Sequence, residues 1–282
     1  MSNNSVSPVI IQPPEGGPVP LVFDSPHSGN IYPDDFKTLV PFERMRRAED
    51  AFVDELFAAA PGHGATLLAA TFPRLYVDPN RSPDDFDPNE VEGDFPTPLK
   101  PSKKASAGKG IVWTRLHGLD QLYQTPLTAD EVVRRIETYW RPYHDAVKAA
   151  LDSTFERFDV VYHVDCHSMR ARGNPTDEDG ESDRVDFVIS DGDGTTSKNA
   201  FTHLIADHLT GRGFDVAIND PYKGAELVRA YSDPEAGRHS VQIEINRKLY
   251  MNEHAVEKVD IFGSLQTEMT GLISACADFS TR

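Results

Sequence analysis

Cysteine is scarce in this chain: two in 282 residues, Cys166 and Cys276. That excludes a disulfide framework and leads us to expect a reducing compartment. Positive charge is in deficit, with 28 Lys+Arg against 45 Asp+Glu and a net charge of −17. The balance excludes the basic footprint of a nucleic-acid binder and opposes docking on an anionic membrane. Long apolar runs are missing, since no stretch approaches the ~20 residues of a membrane span. The opening MSNNSVSPVI has no basic segment leading into an apolar run, so no secretory leader is expected. A cytoplasmic protein is the expectation.

What is present is an ordinary globular composition, 39% hydrophobic and 26% charged, enough for a substantial core. Residues 1–20 carry Pro13, Pro14, Gly16, Gly17, Pro18 and Pro20 and read as an extended lead-in. Leu21–Asp24, Thr66–Ala69, Leu75–Val77, Val160–His167, Val185–Ser190, Val216–Ile218 and Val241–Ile245 read as strands. Met45, Ala48, Phe52 and Leu56 follow a helical period. Thr128 and Glu131 have capping-box spacing before a long helix with Pro142 as a kink. A C-terminal helix takes in Val256, Val259, Phe262, Leu265, Met269, Leu272 and Cys276. Residues 82–110 read as a long surface loop, whose basic stretch KPSKKASAGK is a solvated tip or a lid. Residues 171–184 form a second charged loop. Strands alternating with helices predict one α/β domain over 1–282, with a mixed sheet covered on both faces.

Four strand ends are polar: Asp24-Ser-Pro-His27, Asp78-Pro-Asn-Arg81, Asp165-Cys-His167 and the strand holding Glu244. In open α/β sheets such ends converge on one crevice. His163, Asp165 and His167 alternate along a strand and therefore share a face. His167 is placed to reach a metal, Asp165 to orient a ligand, and His163 to satisfy a neighbouring carbonyl. Two histidines and a carboxylate with an open position compose a catalytic zinc site. Glu244, alone in an apolar strand, suits the proton shuttle of such a site or an ion pair with an arginine.

Ser25-Pro-His-Ser-Gly29, Asp50, Asp78-Pro-Asn-Arg81, Asp165-Cys-His-Ser-Met169, Tyr222-Lys-Gly224, Arg229-Ala-Tyr231 and His239-Ser-Val-Gln-Ile-Glu244 occur in order. This set resembles the N-formylglutamate amidohydrolase family, from about Leu21 to Glu253. The family looks like a distant relative of zinc carboxypeptidases and aspartoacylase-type deacylases. The resemblance implies a zinc carboxypeptidase-like, phosphorylase/hydrolase-like fold with one divalent metal, zinc first, although manganese and cobalt also suit N/O ligands.

Residue by residue, it implies His27, Asp50 and His167 as metal ligands, with Glu49 the alternate carboxylate, and Glu244 as the catalytic acid–base. The His-x-x-Glu of carboxypeptidase relatives is broken here by Asn30. Arg81, Asn80, Arg229, Arg170 and His239 are the implied substrate contacts, because guanidinium grips carboxylates bidentately. Arg172 is a further candidate, and Arg170 and Arg172 could equally be surface charges. The implied reaction is hydrolysis of an N-acyl amino acid, first N-formyl-L-glutamate to formate and L-glutamate, a step of histidine degradation. Another N-acyl-amino-acid deacylase, a carboxypeptidase-like peptidase or a non-catalytic binder of the same fold are the alternatives.

Overall fold

Period-two alternation in the central strands decides which side of the sheet carries the core and which the chemistry. The computed structural model describes residues 6–116, 120–174 and 179–282. Residues 1–5 of the lead-in and 175–178 of the second charged loop lie outside the described residues. The main sheet has seven strands: β1 (Val9–Gln12), β2 (Leu21–Ser25), β3 (Thr66–Ala70), β4 (Val161–Met169), β5 (Phe187–Ser190), β6 (Val216–Ile218) and β7 (Arg238–Asn246). Their order is β1-β3-β2-β4-β7-β5-β6. The run from β3 through β2 and β4 to β7 is parallel, whereas β1 and β5 run antiparallel to β3 and β7. The sheet is therefore mixed, as expected.

In β2, β4 and β7 the residues Phe23, Val164, Cys166, Val241, Ile243 and Ile245 enter one core. Helices α3 (Asn199–Gly211) and α5 (Phe262–Ser280) cover that face. Leu265, Met269, Leu272 and Ile273 of α5 are all buried there, each contributing about 1.5–3 kcal/mol. The opposite face of the same strands carries Asp24, His163, Asp165, His167, Ser240, Gln242 and Glu244. Over its apolar margin lie α1 (Ala129–Arg135) and α2 (Arg141–Phe158), packing Val132, Tyr143, Val147 and Leu151 against Val22, Leu68 and Val161.

Several expectations need correction. The lead-in contains strand β1, which pairs with β3. Leu75–Val77 is buried but not a strand. Its backbone is held instead by irregular partners: Tyr76 O accepts from Arg135 Nη1 at 3.2 Å and Leu75 O accepts from Trp113 N at 3.3 Å. The helix over Met45–Leu56 is broken into one-turn pieces, Phe42–Met45 and Val53–Leu56, joined through a 3-10 turn. Between them Glu49 is extended and Asp50 N donates to His27 O at 2.9 Å.

The Thr128 cap forms, its Oγ1 accepting from Glu131 N at 3.2 Å. The following helix widens into a π turn at Ile136–Trp140 just before Pro142. The C-terminal helix begins only at Phe262, because Met251–Asn252 and Glu257–Lys258 pair as a hairpin that takes Val256 into its turn. The 82–110 loop is anchored by buried Phe86 and Ala105, and Asp85 Oδ1 accepts from Ser102 N at 2.6 Å. Among the described residues no helix is long and apolar enough to cross a membrane.

Candidate active site

The polar stripe ends at the carboxyl edge of the three central parallel strands. Parallel register puts Glu244 of β7 opposite His167 of β4, Gln242 opposite Asp165, and Ser240 opposite His163. Asp24 of β2 lies opposite Asp165 on the other side. His27 follows β2 in the turn Ser25-Pro-His-Ser-Gly29, which sits close against the next segment. A Cβ on Gly29 would meet Phe72 O at 2.3 Å, so only glycine fits there.

His27, Asp50 and His167 are all buried, and one ligand atom from each lies within 4.8 Å of the others. His27 Nδ1 is 3.3 Å and His167 Nδ1 3.1 Å from the same atom, Asp50 Oδ2. The far nitrogens face carboxylates: His27 Nε2 is 2.7 Å from Asp78 Oδ1 and His167 Nε2 is 2.8 Å from Asp165 Oδ1. Both nitrogens of His27 thus face carboxylates, while His167 faces Asp50 through Nδ1 and Asp165 and the Asn80 amide through Nε2; a bound cation would take the two Nδ1 lone pairs. Two ring lone pairs and a carboxylate oxygen around one point form a cation-binding donor set.

Arginines that the sequence reading missed hold the outer atoms. Arg247 Nη2 donates to Asp50 Oδ1 at 2.8 Å, and Arg74 Nη2 donates to Asp78 Oδ2 at 2.9 Å. Trp113 Nε1 adds a bond to Asp78 Oδ2 at 3.2 Å, with the Arg74 guanidinium over its ring. Burial opposes ionisation of Asp50, but hydrogen bonds from His167 and His27 and the charge of Arg74 hold its pKa well below the usual carboxylate range. Asp78 is held low in the same way by Arg74 and His27 against its burial. Burial pushes Asp165 up. The spacing Arg74 to Asp78 was the one local signal for these cations. Arg247, just beyond β7, had none.

Glu49 is turned away from the histidines; its Oε1 accepts from Tyr32 OH at 2.8 Å and Arg46 holds the other oxygen. Asp50 is therefore the carboxylate of the cluster. Glu244 is oriented by Gln242, whose Nε2 donates to Oε1 at 2.8 Å. Burial raises its pKa, and the charges of His167, Arg74 and Lys104 work against that rise. Glu244 makes no ion pair within 4 Å among the described residues, so its expected alternative as an arginine partner is not realised.

Asn80 places Nδ2 3.2 Å from Asp165 Oδ2 and 2.9 Å from His167 Nε2, while its Oδ1 accepts from Leu227 N at 2.9 Å. Arg81 is partly buried beside it, Nε donating to Lys109 O at 3.2 Å. Arg229, exposed on α4 (Glu226–Ala230), lies near enough for its charge to be felt at Arg81. Arg170, half-buried, directly follows β4, and Arg172 is an exposed partner of Asp183. His239 is a correction. It is the second residue of β7, about 17 Å along the strand from Glu244 at ~3.3 Å per residue, and stacks on Tyr162 with ring centres 5.0 Å apart. Odd spacing also turns it to the opposite face. His163 binds Ser240 Oγ and Asp24 Oδ1 at 2.7 and 2.8 Å rather than the carbonyl expected.

A mixed α/β sheet with a buried histidine–carboxylate centre at the carboxyl edge of its parallel strands defines an α/β enzyme scaffold. Residues 19–251 match the family model described as N-formylglutamate amidohydrolase. The chain belongs to that family. It is similar to the crystal structure of N-formylglutamate amidohydrolase from Ralstonia eutropha JMP134, with 43% identity, TM-score 0.95, and 98% and 99% of the two chains covered. It is 29% identical to the N-formylglutamate deformylase of Pseudomonas putida over 245 residues, 84% of each chain. A gene product of Agrobacterium tumefaciens shares the fold, with TM-score 0.68 and 19% identity over 95% of this chain and 96% of the other.

Proposed function

We propose that the protein hydrolyses N-formyl-L-glutamate to formate and L-glutamate, using one divalent cation, zinc first, held by His27, Asp50 and His167. The observation that carries this reading is the convergence of both Nδ1 atoms on Asp50 Oδ2, 3.3 and 3.1 Å away. The family and the P. putida deformylase support the substrate. A bound zinc would polarise the formyl carbonyl and lower the pKa of a water.

Glu244 takes the proton of the attacking water and returns it to the departing glutamate nitrogen, as a general base and then acid. Its raised pKa suits both halves of that transfer. Asp78, 2.7 Å from His27 Nε2, and Asp165, 2.8 Å from His167 Nε2, brace the two imidazoles from behind so that Nδ1 faces the cation. Arg81, with Arg229 and Arg170 towards the rim, holds the substrate carboxylates. Asn80, with both polar ends committed to the protein, positions His167 and Asp165 rather than touching substrate.

Turnover of formyl-, acetyl- and succinyl-glutamate beside formyl-aspartate, with metal content of the purified protein, tests the reading. Formyl-glutamate hydrolysed fastest with about one zinc per chain is expected; inertness towards all four after zinc addition overturns it.

A further inference from the structure

The segment Asp78–Arg81 belongs to no strand, yet it reaches both histidines of the cluster. Asp78 Oδ1 lies 2.7 Å from His27 Nε2, and Asn80 Nδ2 bonds Asp165 at 3.2 Å while packing on His167. A segment without a ladder must have its backbone groups satisfied from outside. Pro79 has no N–H, and Asn80 N turns inward to Asp78 Oδ1 at 2.9 Å. Arg81 caps two carbonyls from within the segment, its N on Asp78 O at 3.2 Å and Nη1 on Asn80 O at 2.7 Å, and those of Pro79 and Arg81 point towards one helix.

Two ring N–H groups of that helix hold them. Trp140 Nε1 donates to Arg81 O at 2.9 Å, and His144 Nε2 donates to Pro79 O at 2.7 Å. The two rings stack with centres 3.7 Å apart and planes 18° from parallel. Because Pro79 O only accepts, the proton of neutral His144 is on Nε2, and Nδ1 accepts from Tyr231 OH at 2.7 Å. Tyr231 thereby fixes the tautomer from outside the helix. Trp140 ends the π turn Ile136–Trp140, and His144 lies one turn further on. Such one-turn widenings recur at functional sites. A buried imidazole with both nitrogens committed is a costly way to fill space that an apolar side chain would fill better.

We propose that Trp140 and His144 are positioning residues: they set the height of the Asp78–Arg81 segment and, through Asp78 and Asn80, the orientation of His27 and His167 towards the cation. The inference rests on the metal reading above, and its test separates the two. Trp140→Phe keeps the ring stack and removes one donor. His144→Leu removes the other, whereas His144→Gln restores an amide N–H near the position of Nε2.

Each purified variant is stripped, and its zinc Kd is read by chelator competition beside the visible absorption spectrum of the cobalt-loaded protein. Loss of outer partners of metal-bound histidines weakens metal binding about 10–100-fold. One step further out, Trp140→Phe and His144→Leu are expected to raise the zinc Kd roughly tenfold and alter the cobalt bands, with His144→Gln close to the parent. Parent-like Kd and spectra in both donor-removing variants overturn the proposal while the metal reading stands. Absence of zinc binding by the parent protein sinks the metal reading, and this inference with it. If His144→Leu does not fold, Trp140→Phe decides alone.

Discussion

Arg247 grips Oδ1 of Asp50 at 2.8 Å, so the carboxylate has only Oδ2 to offer His27 and His167. The same guanidinium reaches Ser168 Oγ at 3.0 Å and Arg47 O at 2.9 Å. It thus ties the break between the two short helices to the end of β4. Arg247→Leu removes all three bonds and leaves Asp50 Oδ1 with only Arg74, 3.8 Å away. Breaking a buried pair from one side costs about 3–5 kcal/mol. A lower urea midpoint with little change in the slope is expected, and a midpoint equal to the parent's would refute it.

Glu244 sits beside the cation cluster without belonging to it. Glu244→Gln therefore keeps the histidine–aspartate group and removes the proton acceptor. General acid–base groups contribute about 10²–10⁴-fold, so kcat is expected to drop by that factor with metal content unchanged. Unimpaired turnover removes Glu244 from the mechanism.

Gly29 allows the His27 turn to lie against the backbone of Thr71 and Phe72, where an added Cβ would stand 2.3–2.6 Å from their atoms. Gly29→Ala must push that turn outward. Overpacking of this kind costs about 1–3 kcal/mol, and His27 would move with it. Thermal unfolding and zinc affinity are expected to fall together; a variant as stable as the parent would show that the contact gives way freely.

His144 is buried, and its pKa is pushed down to about 4 by burial. The unfolded imidazole titrates near ~6.5, so between these values the unfolded chain binds a proton that the folded chain refuses. Stability then falls as pH drops from about 6.5 towards 4 and is flat above that window. The contribution is roughly 3 kcal/mol at most. His239, lowered to about 4 by burial and the charge of Lys198, adds in the same direction. Urea titrations at several pH values are expected to show this slope, and His144→Gln to flatten it. An unchanged slope in that variant would locate the effect elsewhere.

The period-two signal carried far in the sequence. His163, Asp165 and His167 do share a face, and Glu244 does meet His167. What could not be read were the partners joined by folding alone. Arg247 and Asp50 lie 197 positions apart and meet only once β7 is beside β4. Local pattern also misled where tertiary bonds replaced regular ones. Leu75–Val77 looked like a strand because it is apolar, but a buried arginine and Trp113 hold its carbonyls. Asp50 looked helical, yet Asp50 N is taken by His27 O. His239 shared a motif with Glu244, but five residues along an extended chain reverse its side and carry it to the far end of β7.

The alternation in β4 and β7 has a consequence for how this chain tolerates change. A single inserted or deleted residue in either strand would point the downstream histidine or glutamate into the oily layer under α3 and α5 and turn valines and isoleucines towards the catalytic floor. Reading frame along the strand is thus shared by solubility and catalysis. Variation can accumulate in loops such as 82–110, whereas strand length is locked twice over.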